Sequence, residues 1–276
     1  MDEKNLEYLK KTLNYLGFGT RLNQVLEDAI YKKLDDFSIG LNQRYIPAEF
    51  RSDASKGVDQ MSYSLLFRKS NASDAYFLNA VDATLKRYNN SEPLHKRFEL
   101  DWDHRMSALQ CYKLLCGLSL QKDIFLQDLD DVNGKRSKRV SVWFKLDLEV
   151  RDKDGAHPLR LFFPEYNFDL KTNFERYPLV NLNEEKKEAA LKALQFGNLI
   201  SLEIELEGKI IPVYLSANPA SRSLDVYDAG MVRIPEAAIF AKRDIHIDRE
   251  QAQAFLNSNQ VDHLPEAQNP ASRLKR

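Results

Sequence analysis

The feature that most constrains this chain is a pattern that returns along it. Tyr31, Lys32, Leu34 and Ser38 match Tyr112, Lys113, Leu115 and Ser119, each pair 81 residues apart. A weaker match places Lys192 and Leu194 79 residues beyond Lys113 and Leu115. A few identities carry little weight alone, but the coarse pattern around them recurs too. "RLNQVLEDAIYKKL" spaces Leu22, Val25, Leu26, Ala29 and Ile30 at helical intervals, and "FSIGL", "SYSLLFRKS" and "AYFLNAVDATL" follow it. "MSALQCYKLLCG" precedes "LSLQKDIFL", "VSVWFKLDLEV" and "LRLFF", and "NEEKKEAALKALQFG" precedes "LISLEIEL", "IIPVYLSA" and "SLDVYD". The expected fold class is therefore α+β: three diverged α-β-β-β units of about 80 residues, antiparallel sheets with one helix packed per unit.

Local chemistry points the same way. Asn133-Gly134 and Asp154-Gly155 sit between alternating runs, where two-residue hairpins favour these pairs. Gly117 and Gly197 follow the last apolar residues of their helices, as left-handed caps do, and Asn183 precedes Glu184 and Glu185 as an N-cap. Strict alternation, as in "SLEIEL" or along Val140, Val142, Phe144, Leu146 and Leu148, leaves one face of each sheet wet. The expected division is 1–90 for N-terminal helices plus the first unit, 91–167 for the second, and 168–235 for a connector plus the third. Residues 236–276 are read as a short helix and a loose tail.

Forty basic side chains against 41 acidic ones argue against a general polyanion binder. The charged "MDEKNLEYLKK" carries no secretory signal, no apolar run approaches membrane-spanning length, and cysteine is sparse. The cytoplasm, with no membrane partner, is the expected setting.

Candidate chemistry is thin. Cys111 and Cys116 point roughly 140° apart on one helix, which suits buried structural thiols and neither a disulfide nor a shared metal. Asp101, Asp103 and His104 could form an unrecognised catalytic cluster. The simpler reading has Asp101 or Asp103 capping the second helix, with Trp102 stapled into the core. "DLDDVNG" fails the calcium-loop spacing, with Arg139 where a bidentate Glu is required. "GFG" at 17–19 reads as a helix–helix turn, and no familiar nucleophile, zinc or nucleotide motif occurs. No catalytic residue, cofactor or metal is expected. Lys135, Arg136, Lys138 and Arg139 on a hairpin are candidate nucleic-acid contacts, with the terminal Lys275 and Arg276. Trp102, Phe168, Phe174 and Tyr177 in the connectors are candidate partner contacts.

"LEYLKKTLNYLGFGTRLNQVLEDAI", "SLLFRKSNASDAYFLNAVDATLKR" and "VYLSANPASRSLDVYDAGMVRI" resemble a family of uncharacterised Bacteroidetes proteins often found on conjugative or mobilisable elements. The resemblance spans roughly residues 5 to 235. It implies a genetic setting and no chemistry.

The function expected from all of this is a non-enzymatic, cytoplasmic binding or scaffold protein of a bacterial mobile element that recognises a protein partner. Repeated units without a convergent polar pocket suit an extended partner better than turnover of a small one. The alternative is a nucleic-acid accessory factor working through the basic hairpin.

Overall fold

An apolar stripe at Leu6, Leu9 and Leu13 makes helix α1 (Glu3–Tyr15) amphipathic, and Asp2 caps it by accepting from Asn5 N. The computed structural model describes residues 2–90, 92–100, 105–127, 137–153 and 155–240. Helix α2 (Asn23–Tyr31) follows, then the strands β1 (Asp36–Tyr45), β2 (Asp59–Lys69), β3 (Tyr76–Lys86) and β4 (Leu94–Glu99). Helix α3 (Ala108–Leu115) precedes β5 (Leu120–Gln127), β6 (Ser137–Leu146) and β7 (Leu159–Phe162). Helix α4 (Leu170–Arg176) and β8 (Leu179–Val180) lead to helix α5 (Glu184–Gln195). The strands β9 (Ile200–Leu206), β10 (Lys209–Asn218), β11 (Ser223–Tyr227) and β12 (Arg233–Ile234) complete a first compact unit that ends at Pro235. A second unit begins at Glu236, and its described part is helix α6 (Glu236–Phe240).

The chain is α+β with three antiparallel sheets, ordered β1-β2-β3-β4, β5-β6-β7 and β12-β11-β10-β9-β8. Alternation sets the buried faces: Met61, Tyr63, Leu65 and Phe67 of β2 point inward, with Val81, Ala83 and Leu85 of β3. Helices α1 and α3 cover that face. The same hydrophobic cluster runs on through Cys111, Leu114 and Leu115 to Leu120, Val142, Phe144 and Leu146 of the second sheet. Helix α3 touches β3 and β4 of the first sheet and β5 and β6 of the second, so these two sheets share one core. Leu194, Ile204, Val213, Leu215 and Val226 are among the buried apolar residues around the third sheet. Glu207 and Gly208, both at positive φ, form the two-residue turn between β9 and β10.

Three helices end alike. In α1, α3 and α5 the second amide after the cap bonds back to the helix: Phe18 N to Leu13 O, Leu118 N to Lys113 O and Asn198 N to Ala193 O, each 3.0 to 3.1 Å. Gly17, Gly117 and Gly197 take the left-handed position with φ between 70 and 81°. At Gly197 the requirement is doubled, because a Cβ would lie 2.8 Å from the Ser119 carbonyl oxygen and 2.9 Å from Leu120 Cβ. The end of α5 therefore abuts the start of β5 at a distance that admits no side chain.

Several expectations need correction. The helix-to-strand turns fall at Lys33 (φ 55°), Gly117 and Gly197, 84 and 80 residues apart, so the 81-residue identities are out of structural register. Tyr31 ends α2 and is exposed, whereas Tyr112 lies inside α3 and is buried. The first sheet runs past the boundary expected at 90, because the supposed connector contributes β4 paired to β3. Ser107, not Asp101 or Asp103, caps α3 and forms a reciprocal capping box with Gln110. Asn183 does cap α5, accepting from Lys186 N at 2.9 Å.

Candidate ligand-binding cleft

The residues named from sequence fare unevenly. Asp101, Trp102, Asp103, His104, Lys135, Arg136, Lys275 and Arg276 lie outside the described residues. Arg139 is already paired: its guanidinium pairs with Asp123, Nε donating at 2.9 Å, and Ser141 donates to the same carboxylate. These bonds hold the Asp123 carboxyl below its ordinary range. Lys138 is exposed beside it. Phe174 and Tyr177 are core residues with 2% and 4% of their surface exposed, so neither can present itself to a partner. Phe168 is half-buried and packs edge-on against Trp143, the centroids 5.3 Å apart.

The cysteines are free thiols: Cys111 is buried in α3 and Cys116, its C-cap, is half-buried. Burial pushes both thiols up, Cys116 to about 12, which keeps them protonated. Among the described residues no group of three or more His, Cys, Asp or Glu side chains could hold a metal ion.

What the structure assembles instead is a cleft around the C-terminal end of α3. It begins with a buried carboxylate. Asp59, fully buried at the start of β2, accepts from Tyr88 N at 3.0 Å and from the Tyr112 hydroxyl at 2.8 Å. Arg87 Nε lies 3.1 Å from the same carboxylate, an ion pair without an aligned hydrogen bond, and another Arg87 nitrogen lies 3.6 Å from Glu49. One guanidinium thus answers two carboxylates, as a buried acid requires. Tyr112 stacks on Tyr45 at the end of β1, centroids 4.2 Å apart and planes within 7°.

Against this wall opens a cavity of about 300 Å³, lined by the turn that follows β1, by α3, by the end of α5 and by the end of β11. Ile46, Leu109, Leu118, Leu199 and Met231 supply apolar surface, and Arg51, Arg87, Lys113 and Glu49 supply charge. Lys113 donates to the Phe196 carbonyl at the C-cap of α5 at 2.6 Å, a position that favours a cation. Burial, and then the neighbouring Arg51, lower the Lys113 ammonium to about 8.

A second, more polar cavity of about 560 Å³ adjoins the first, and Cys116 and Tyr227 line both. Its charges are largely internal pairs: Arg160 with Asp147 and Arg233 with the buried Asp225, each at 2.6 Å. Asn218 Nδ2 adds bonds of 3.0 Å to both Asp225 oxygens. Lys145, lowered by burial, donates to the Gly117 carbonyl at the end of α3 at 2.8 Å.

Sequence reasoning missed this cleft. Arg51 and Ile46 come from the β1–β2 turn, Lys113 from a helix and Asn198 from the turn after another, and nothing local marks them as neighbours. The one available signal was Lys113 itself, a charged residue in the midst of buried α3 positions. Comparison with known proteins finds no family model, no curated protein and no solved structure that matches this chain.

Proposed function

We propose that this chain is a non-enzymatic binding protein that recognises a protein partner through the cleft at the end of α3. In this reading it works in the cytoplasm as part of a bacterial mobile element, the setting that the resemblance to the Bacteroidetes family implies. Its body is three diverged α-β-β-β units. The succession of α2 and β1–β3, α3 and β5–β7, and α5 and β9–β11 supports that, as do the matching glycine turns after α3 and α5.

One observation carries the proposal. Ile46 and Leu109 are 48% and 46% exposed and line the same cavity, beside Arg51 and Lys113. Two large aliphatic side chains left in water at a concave, cation-rimmed site are the composition of a recognition surface. The lining groups suit binding better than turnover: the thiol is protonated, and burial raises the tyrosines Tyr45, Tyr112 and Tyr227.

The test compares affinity capture by the wild type with capture by an Ile46→Glu, Leu109→Glu double variant, in cells that carry the native gene neighbourhood. A protein retained by the wild type and lost by a folded double variant supports the reading. Equal retention by both removes the cleft from it. Binding to labelled DNA and RNA at about 50 and about 200 mM salt tests the nucleic-acid alternative, which requires a steep loss with salt.

A further inference from the structure

We propose that the cavity between the β1–β2 turn and α3 binds a carboxylate carried on a short aliphatic body, held between Arg51 and Lys113. The inference rests on the partner reading for its location and goes beyond it by naming the chemistry the cleft accepts.

The argument is one of uncompensated charge. Of the three cations on the cavity wall, Arg87 is answered by Asp59 and by Glu49. Glu49 is the one carboxylate among the lining residues, and it is engaged there. Arg51 makes no ion pair among the described residues, and Lys113 has a backbone carbonyl and no carboxylate. Two cations on the wall of one cavity, whose single carboxylate is already engaged with Arg87, favour an anion there. Burial first, and Arg51 second, lower the Lys113 ammonium in the same direction. An oxyanion placed between them relieves both costs. Lys113 keeps two N–H donors beyond its bond to Phe196, and the Arg51 guanidinium offers a fork that matches a carboxylate.

The rest of the cavity sets the body of the ligand. Ile46, Leu109, Leu118 and Leu199 leave apolar wall and no further charge to satisfy. At about 300 Å³ the cavity matches the lower end of small-ligand sites. An aliphatic acid fits this description, as does an aliphatic residue followed by an acidic one in a partner's chain.

The test uses the full chain and calorimetric or NMR titration with three probes: hexanoate, hexanol and N-acetyl-Leu-Glu. Hexanoate is expected to bind, with hexanol weaker by about tenfold, the magnitude of one charge-assisted hydrogen bond. Arg51→Met and Lys113→Met should each weaken hexanoate by about tenfold and leave hexanol unchanged. Arg51 is exposed, so its variant keeps the test valid even if Lys113→Met disturbs the end of α5. Equal affinity for hexanoate and hexanol, no binding of either acid, or hexanoate binding indifferent to both variants overturns the inference. N-acetyl-Leu-Glu binding with hexanoate assigns the carboxylate to a partner chain, whereas hexanoate binding alone assigns it to a free acid. If neither acid binds while capture still depends on Ile46 and Leu109, this inference falls and the partner reading stands.

Discussion

Replacing Tyr177 by phenylalanine isolates one oxygen whose work can be read directly. The Tyr177 hydroxyl donates to the Leu224 carbonyl at 3.1 Å and accepts from the Leu224 amide at 3.1 Å. Leu224 lies opposite Ala217 of β10, whereas β12 reaches only Val226 and Tyr227, so the phenol stands where a neighbouring strand would have been. Tyr177 is 4% exposed and Leu224 3%, which leaves no water to take over. The aromatic ring is kept, so no cavity cost enters. Two backbone groups lose their partner at about 1 to 3 kcal/mol each, and relaxation recovers part of that, which puts the destabilisation at about 2 to 4 kcal/mol. Urea denaturation measures the total, and amide exchange at Leu224 measures the site. A change under about 0.5 kcal/mol, or unaltered exchange at Leu224, would refute the reasoning by showing that these groups find other partners.

Asp59→Ala should cost about 3 to 5 kcal/mol in chemical denaturation, because Arg87 and Tyr112 lose the acid they face. The double variant Asp59→Leu, Arg87→Met should recover a substantial part, and no recovery would mean that packing rather than charge sets the cost. Ellman's reagent at pH 7.5 should leave both thiols of the folded chain almost untouched and titrate two after denaturation; rapid reaction of Cys116 in the folded state would contradict a thiol held up at about 12. Lys113 is held near 8 when folded against 10.5 unfolded, so below pH 8 the folded chain bears the cost of a buried ammonium. Between pH 8 and 10.5 the unfolded chain binds the additional proton, and stability rises with pH. Relative to Lys113→Met, the wild type should gain about 1 to 3 kcal/mol across that window, and a flat difference would sink the assignment.

The alternating strands and the helix ends were legible because their signals are local. Alternation in "SLEIEL" and glycine after α3 and α5 depend on the nearest few residues. β4 was hidden because its sequence, "LHKRFE", buries only Phe98 and otherwise presents charge, as an edge strand does. Phe174 and Tyr177 looked like exposed anchors because an aromatic residue in a short helical connector carries no periodicity that reports which side it faces. Their burial against the third sheet is a tertiary fact. The cleft was illegible for the same reason: Ile46 and Lys113 are 67 residues apart, and only the shared core brings the β1–β2 turn to the end of α3. The repeated identities misled by a few residues because α2, α3 and α5 differ in length while the turn that follows α3 and α5 does not.

Helix α3 leads into the second sheet along the chain, yet it seals the inner face of the first sheet as well as that of the second. A module that lends its helix to its predecessor cannot melt alone, since opening either sheet exposes the other's core. The first two sheets should therefore unfold in a single cooperative step. Recombination that exchanges one of them between relatives at the boundary near residue 90 would separate β4 from its sheet and α3 from half its contacts. Such chimaeras should survive only when both are exchanged together.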